Sequence, residues 1–168
     1  MRHLLNIWLS IAFLMGKPSD YPADRQSLQI AIVAALASFI LASSLVVEFS
    51  VALTLAGLDV ALAGGGLWIA LQLAGKPTRF SQAFGAYCGA SAVLNVASMI
   101  MLNTTDPESA ESGLSLAAML QFVYLVWGIS MVAHILRFTF ELALPVSILA
   151  ATGYLILSLT VIGMIFPH

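Results

Sequence analysis

Apolar residues fall into five long runs, at about 27–47, 49–74, 81–102, 114–136 and 142–166, separated by short polar connections. Each run has about 20 residues or more, enough for a helix to cross a hydrocarbon core of roughly 30 Å. The runs are continuous, whereas a membrane barrel would need alternating strands of about 10 residues. Backbone groups in lipid must find partners within their own segment, so the runs are predicted to be helices. Only the polar stretch NTTDPESAES (103–112) is long enough to be a loop. The pattern predicts an all-α polytopic bundle of five spans over residues 27–168, preceded by an N-terminal region over residues 1–26.

Residues 3–15, HLLNIWLSIAFLM, are apolar but too short to span, rising only about 20 Å as a helix. His3, Asn6 and Ser10 share one face, while Leu4, Leu5, Trp8, Ile11, Ala12 and Met15 cover much of the rest. This predicts an amphipathic helix over about 4–15, lying in the membrane interface with Trp8 at headgroup depth and ending near Gly16. A signal peptide is the rival, since Arg2 precedes the stretch, but no small-x-small cleavage pattern follows.

Two short stretches, LMGKPSD (14–20) and LAGKPTR (73–79), repeat Gly-Lys-Pro-Ser/Thr. A phosphate-binding loop requires Ser or Thr directly after the lysine and a glycine five positions before the second one. Pro18, Pro77, Ile11 and Ala70 occupy those places. Both copies stand where an apolar run gives way to polar chain. Glycine in the left-handed position past a helix end, lysine at the negative end of the dipole and a proline that blocks continuation together predict two helix stops.

Composition agrees with a membrane protein. Of 168 residues, 61% are hydrophobic and 8% charged, against about 25% charged in an ordinary soluble domain. The net charge of −2 and the lack of a basic run give no reason to expect a nucleic-acid partner. Cys88 is the only cysteine and His3, His134 and His168 are scattered, so neither a metal centre nor a cofactor is expected. The expected surroundings are a lipid bilayer and other integral membrane proteins or a second copy.

Charge placement predicts orientation. With five spans, all six basic residues (Arg2, Lys17, Arg25, Lys76, Arg79, Arg137) fall on one side. Glu48, Asp106, Glu108 and Glu111 fall on the other, without a lysine or arginine. The positive-inside rule puts the N-terminus in the cytoplasm and the C-terminus outside, as in a bacterial inner membrane. Lys17, Lys76 and Arg79 then serve as cytoplasmic anchors within reach of anionic headgroups.

The stretch LWIALQLAGKPTRFSQAFGAYCGASAVLNV (67–96) resembles a segment of small bacterial members of the Yip-domain membrane family. There a glycine-plus-basic turn leads into Phe-x-Gln and the third span, positions held by Gly75, Lys76, Phe80 and Gln82. Five spans with a cytoplasmic N-terminus are also similar to that family, in layout over about residues 20–166. The Asp-Leu-Tyr-Gly-Pro motif of eukaryotic members is absent. The resemblance implies a non-enzymatic membrane organiser or adaptor.

Small residues mark packing faces. Gly85 and Gly89 form a GxxxG pair, and Ala34, Ser38 and Ala42 repeat the spacing in the first span. With five helices to pack, contacts inside one chain are preferred over a dimer seam. Gly64, Gly65 and Gly66 interrupt the second span. A flat face for a neighbour is preferred there over a helix break lining a cavity, as in transporters. Arg137 and Glu141, spaced i, i+4, are expected to pair at the edge of the fourth connection.

Asp59 is the one acidic residue placed near mid-membrane, where a charge costs about 2.5–3.5 kcal/mol on insertion scales. Counting helix rise from either end puts Ser38, Tyr124 and Tyr154 at similar depth, with Asn95 and Gln121 one or two turns away. No basic residue reaches that depth, so a neutral carboxyl bonded to such groups is expected. Catalytic motifs are missing: there is no Gly-x-Ser-x-Gly, no His-Glu-x-x-His and no second intramembrane aspartate. No enzyme is therefore expected. The preferred function is a non-catalytic scaffold, adaptor or accessory subunit. The alternative is a small transporter or proton or ion pathway through Asp59. Dry packing around Asp59 would favour the first, and a continuous polar cavity reaching it would favour the second.

Overall fold

The structure, a computed structural model, describes residues 2–104 and 116–166. Most of the acidic connection, with Asp106, Glu108 and Glu111, and His168 lie outside these residues. Six helices are described: α1 (Arg2–Ala12), α2 (Arg25–Ser43), α3 (Phe49–Leu73), α4 (Phe80–Thr104), α5 (Leu116–Phe140) and α6 (Leu144–Ile165). The last five are long and apolar enough to cross a membrane, so the chain is an integral membrane helical bundle. Their bounds follow the predicted runs, with two differences. The first span starts at Arg25, where Asp24 caps it by accepting the Ser27 N–H at 2.8 Å, and ends at Ser43 rather than 47. That cap bond, from backbone and hydroxyl of Ser27, holds the Asp24 carboxyl below its ordinary range. The fourth span continues through Arg137 to Phe140, because a charge at a membrane edge does not stop a helix.

The centre of the bundle is α4, which touches α1, α2, α3 and α5. Its broadest contact is with α2, where Ala31, Ala35, Ser38 and Ala42 are buried, and α4 buries Ala86 and Ala90. Small side chains let these backbones approach closely. At the other edge α6 packs on α5 and only sparsely on α3, leaving a groove.

The N-terminal helix is shorter than predicted, and its stop works differently. It ends at Ala12, and Leu14 takes the left-handed conformation at φ 63°. The Ser10 carbonyl accepts the N–H groups of both Met15 and Gly16. Gly16 is therefore not the left-handed residue. A Cβ there would sit 3.0 Å from Ser10 Cβ, so glycine serves the close return of the chain. The second copy matches the expectation. Gly75 has φ +67°, Gly75 N–H bonds Gln72 O at 3.1 Å and Lys76 N–H bonds Leu71 O at 2.9 Å, a Schellman closure. In both copies Lys-Pro leads into a 3-10 turn, Pro18–Asp20 and Pro77–Arg79.

The GxxxG pair on α4 is covered by side chains of the same chain rather than by another spanning helix. The ring of Tyr21 lies over Gly85 and the indole of Trp8 over Gly89, so close that a Cβ at either glycine would collide. Packing within one chain is the outcome, but the partners are aromatic side chains of the N-terminal segment. Further bonds fix that segment: Trp127 Nε1 donates to Ala12 O at 2.6 Å, and His134 Nε2 meets Gly16 O at 2.7 Å. The first satisfies a carbonyl that the end of α1 leaves open. Tyr21 is buried, donates to Ser27 O at 2.5 Å, and has its phenol pushed up to about 12 by burial.

Candidate functional site at Asp59

Helix α3 runs uninterrupted through its three glycines, which fixes the height of Asp59. Gly64 alone makes a close contact, with the ring of Phe84, whereas Gly65 and Gly66 have nothing within 4 Å of a built Cβ. Phe80, Phe84 and Tyr87 lie along one side of α4 as a ladder of rings, with centroids 5.3 and 6.5 Å apart. The ladder braces Tyr87 against α3. Its hydroxyl lies 3.3 Å from each carboxylate oxygen of Asp59 and 3.4 Å from the hydroxyl of Tyr154 on α6. The Tyr87 and Tyr154 rings meet edge to face, at 88° and 6.4 Å.

Of the residues picked by depth, only Tyr154 joins Asp59, where its hydroxyl also faces the carboxyl. Asn95 Nδ2 donates to Ser38 Oγ at 3.2 Å, and Ser38 Oγ donates to Ala35 O at 3.0 Å, so this pair ties α4 to α2 instead. The Tyr124 hydroxyl meets Ser98. Tyr87, the closest partner of Asp59, was not among the depth-matched residues. A count of rise sets its Cα about 10 Å nearer the basic end than that of Asp59. The signal that finds it is the i, i+4, i+7 aromatic spacing of Phe80, Phe84 and Tyr87.

Asp59 borders an open space. It lines a cavity of about 210 Å³ among α3, α4, α5 and α6, with Ser91, Asn95, Tyr124 and Ser158 in the same wall. Phe39, Asn95 and Tyr124 also line a wider space of about 500 Å³, which reaches Ser43, Val46 and Gln121 at the end of the bundle opposite the basic residues. On the other side, Tyr87, Val132 and Tyr154 separate the Asp59 cavity from a groove of about 650 Å³ between α3, α5 and α6. The two tyrosines thus stand between a space with polar groups and one lined almost wholly by apolar side chains.

At the basic end, Glu141 does not pair with Arg137. Its Oε1 takes Lys76 Nζ at 3.1 Å and Arg79 Nη1 at 2.8 Å, and Arg79 also donates to Thr139 O at 2.8 Å. Glu141 has φ 61°, so its side chain leaves α5 toward the α3–α4 turn rather than back over the helix. Arg137 lies against Phe138, and Lys17 approaches the same ring at 5.5 Å. Arg79 and Lys76 together hold the Glu141 carboxyl below its ordinary range. Phe80 stacks on Phe84, and Gln82 Nε2 donates to Ser19 O at 3.4 Å. The chain matches no protein-family model, no curated protein and no solved structure.

Proposed function

We propose that this protein is a small transporter or proton pathway in which Asp59 is the group that takes up and releases the proton. The observation that carries this reading is that the cavity lined by Asp59 shares Phe39, Asn95 and Tyr124 with the wider space reaching the end opposite the basic residues. A buried aspartate used only to hold helices in register needs bonding partners and no route to solvent. A protonatable aspartate on a translocation path needs both. Tyr87 and Tyr154 act as the barrier beyond it, since both contact Asp59 and both line the apolar groove on the far side. Movement of that pair would expose the carboxyl to the basic end.

The same reading takes the positive side of the bundle as cytoplasmic, so that Asp59 is entered from outside. It leaves the Yip-like lineage as a proposal resting on Gly75, Lys76, Phe80 and Gln82. The experiment compares Asp59→Asn and Asp59→Leu for melting temperature in detergent and for proton flux in liposomes. Asparagine keeps most of the hydrogen bonding but cannot release a proton, so it is expected to abolish flux with melting nearly unchanged. Leucine strands both tyrosines and is expected to cost about 1–2 kcal/mol as well. Equal flux in wild type and Asp59→Asn would return the protein to the scaffold reading.

A further inference from the structure

The groove between α3 and α6 is lined by two glycines that no neighbour covers. Gly66 on α3 and Gly153 on α6 both line it, and a Cβ on either would meet no atom within 4 Å. A glycine in a helix interior costs about 1 kcal/mol relative to alanine, and neither glycine repays this through a close helix contact. Their effect is to keep the groove open. It extends along α3 from Ala63, beside the Tyr87–Tyr154 pair, to Ala74 at the basic end. Eleven residues of rise make that about 16 Å, half of the roughly 30 Å hydrocarbon core, or the depth of one leaflet.

An ion-pair cluster neighbours the end of the groove. Ala74, Phe140 and Leu142 line that end, two residues before Lys76 and on either side of Glu141. There two cations, Lys76 and Arg79, share one oxygen of a single carboxylate, leaving one positive charge in excess. A helix about 10 Å across fills on the order of 100 Å³ per residue, so 650 Å³ would take only about six residues of a partner helix. The same volume lies within the 300–1,000 Å³ typical of small-molecule sites.

We infer that this groove is a binding site for one anionic phospholipid, with an acyl chain between α3 and α6 and the phosphate headgroup against Lys76 and Arg79. The lipid would seal the groove on the basic side of the tyrosine pair. The inference does not rest on proton transfer at Asp59.

Native mass spectrometry of the purified protein, titrated with phosphatidylglycerol or phosphatidylcholine, tests it. One phosphatidylglycerol is expected to be retained per chain, at least tenfold more tightly than phosphatidylcholine. Gly66→Leu fills the groove and is expected to lose that lipid. Lys76→Gln with Arg79→Gln is expected to remove the preference while leaving weak binding of both lipids. Should Gly66→Leu fail to fold, Gly153→Leu fills the same space from α6. Equal retention of the two lipids by wild type, or full retention in a folded groove-filled variant, would overturn the inference. So would a wild-type dimer that Gly66→Leu or Gly153→Leu converts to monomer, since the occupant would then be a second copy.

Discussion

Single side chains decide how the N-terminal segment is held. Trp8 and Tyr21 are both buried against glycines of α4, and the Trp8 indole N–H neighbours the Tyr21 hydroxyl without a well-formed hydrogen bond. Gly85→Ala and Gly89→Ala should therefore each destabilise by about 1–3 kcal/mol through overpacking. Gly65→Ala, with open space around it, should be neutral or stabilising by up to about 1 kcal/mol. Melting of the three variants in one detergent checks this. Equal effects at all three positions would contradict the placement of the two rings.

Glu141 gives a pH dependence whose sign can be worked out. Its folded carboxyl is held low by Arg79 and Lys76, so the unfolded chain binds the proton more readily. The stabilising contribution is full above the ordinary glutamate value of about 4.3 and is lost as pH falls through the lower folded value. Thermal melting should hold steady from pH 7 to pH 5 and decline at more acid pH, and Glu141→Gln should reduce that decline. A variant whose acid limb matches wild type would show the bridges to be inconsequential. Asp24 contributes an acid limb of the same sign through its cap on α2, so a residual decline in Glu141→Gln is expected.

Among the helices, the spans were legible because length and continuity of apolar residues set them, as were the Gly75 stop and the amphipathic character of α1. What escaped was which helix faces which. Ser38 and Asn95 lie at plausible depths for Asp59, yet they bond each other because α2 and α4 pack so closely. Tyr87 was missed because a count of rise along upright helices ignores the reach of a phenol. The partner of Glu141 was missed because i, i+4 spacing predicts a pair only where the chain stays helical, and Glu141 has left the helix. Orientation belongs to this scale too. Cysteine placed at Thr78, an exposed position in the basic turn, should resist an impermeant thiol reagent in intact cells. Cysteine at Ser44, exposed at the opposite end, should react, and native Cys88 is buried and gives no background. The reverse pattern would invert the topology and the proposed side of entry to Asp59.

For the molecule as a whole, three neighbouring spaces lie along the bundle, the first two sharing Phe39, Asn95 and Tyr124 and the last two sharing Tyr87, Val132 and Tyr154. The two spaces toward the end opposite the basic residues include polar groups, and the third is an apolar groove that ends near Lys76 and Glu141. This asymmetry suits a site entered from one side and sealed from the other until the tyrosine pair moves. The most direct test is proton flux into liposomes carrying the purified protein, driven by a pH gradient and compared with Asp59→Asn at equal protein content. Flux above protein-free liposomes is expected for wild type and none for Asp59→Asn, with both proteins folded. Wild-type liposomes no leakier than protein-free ones, or flux that survives in Asp59→Asn, would contradict it.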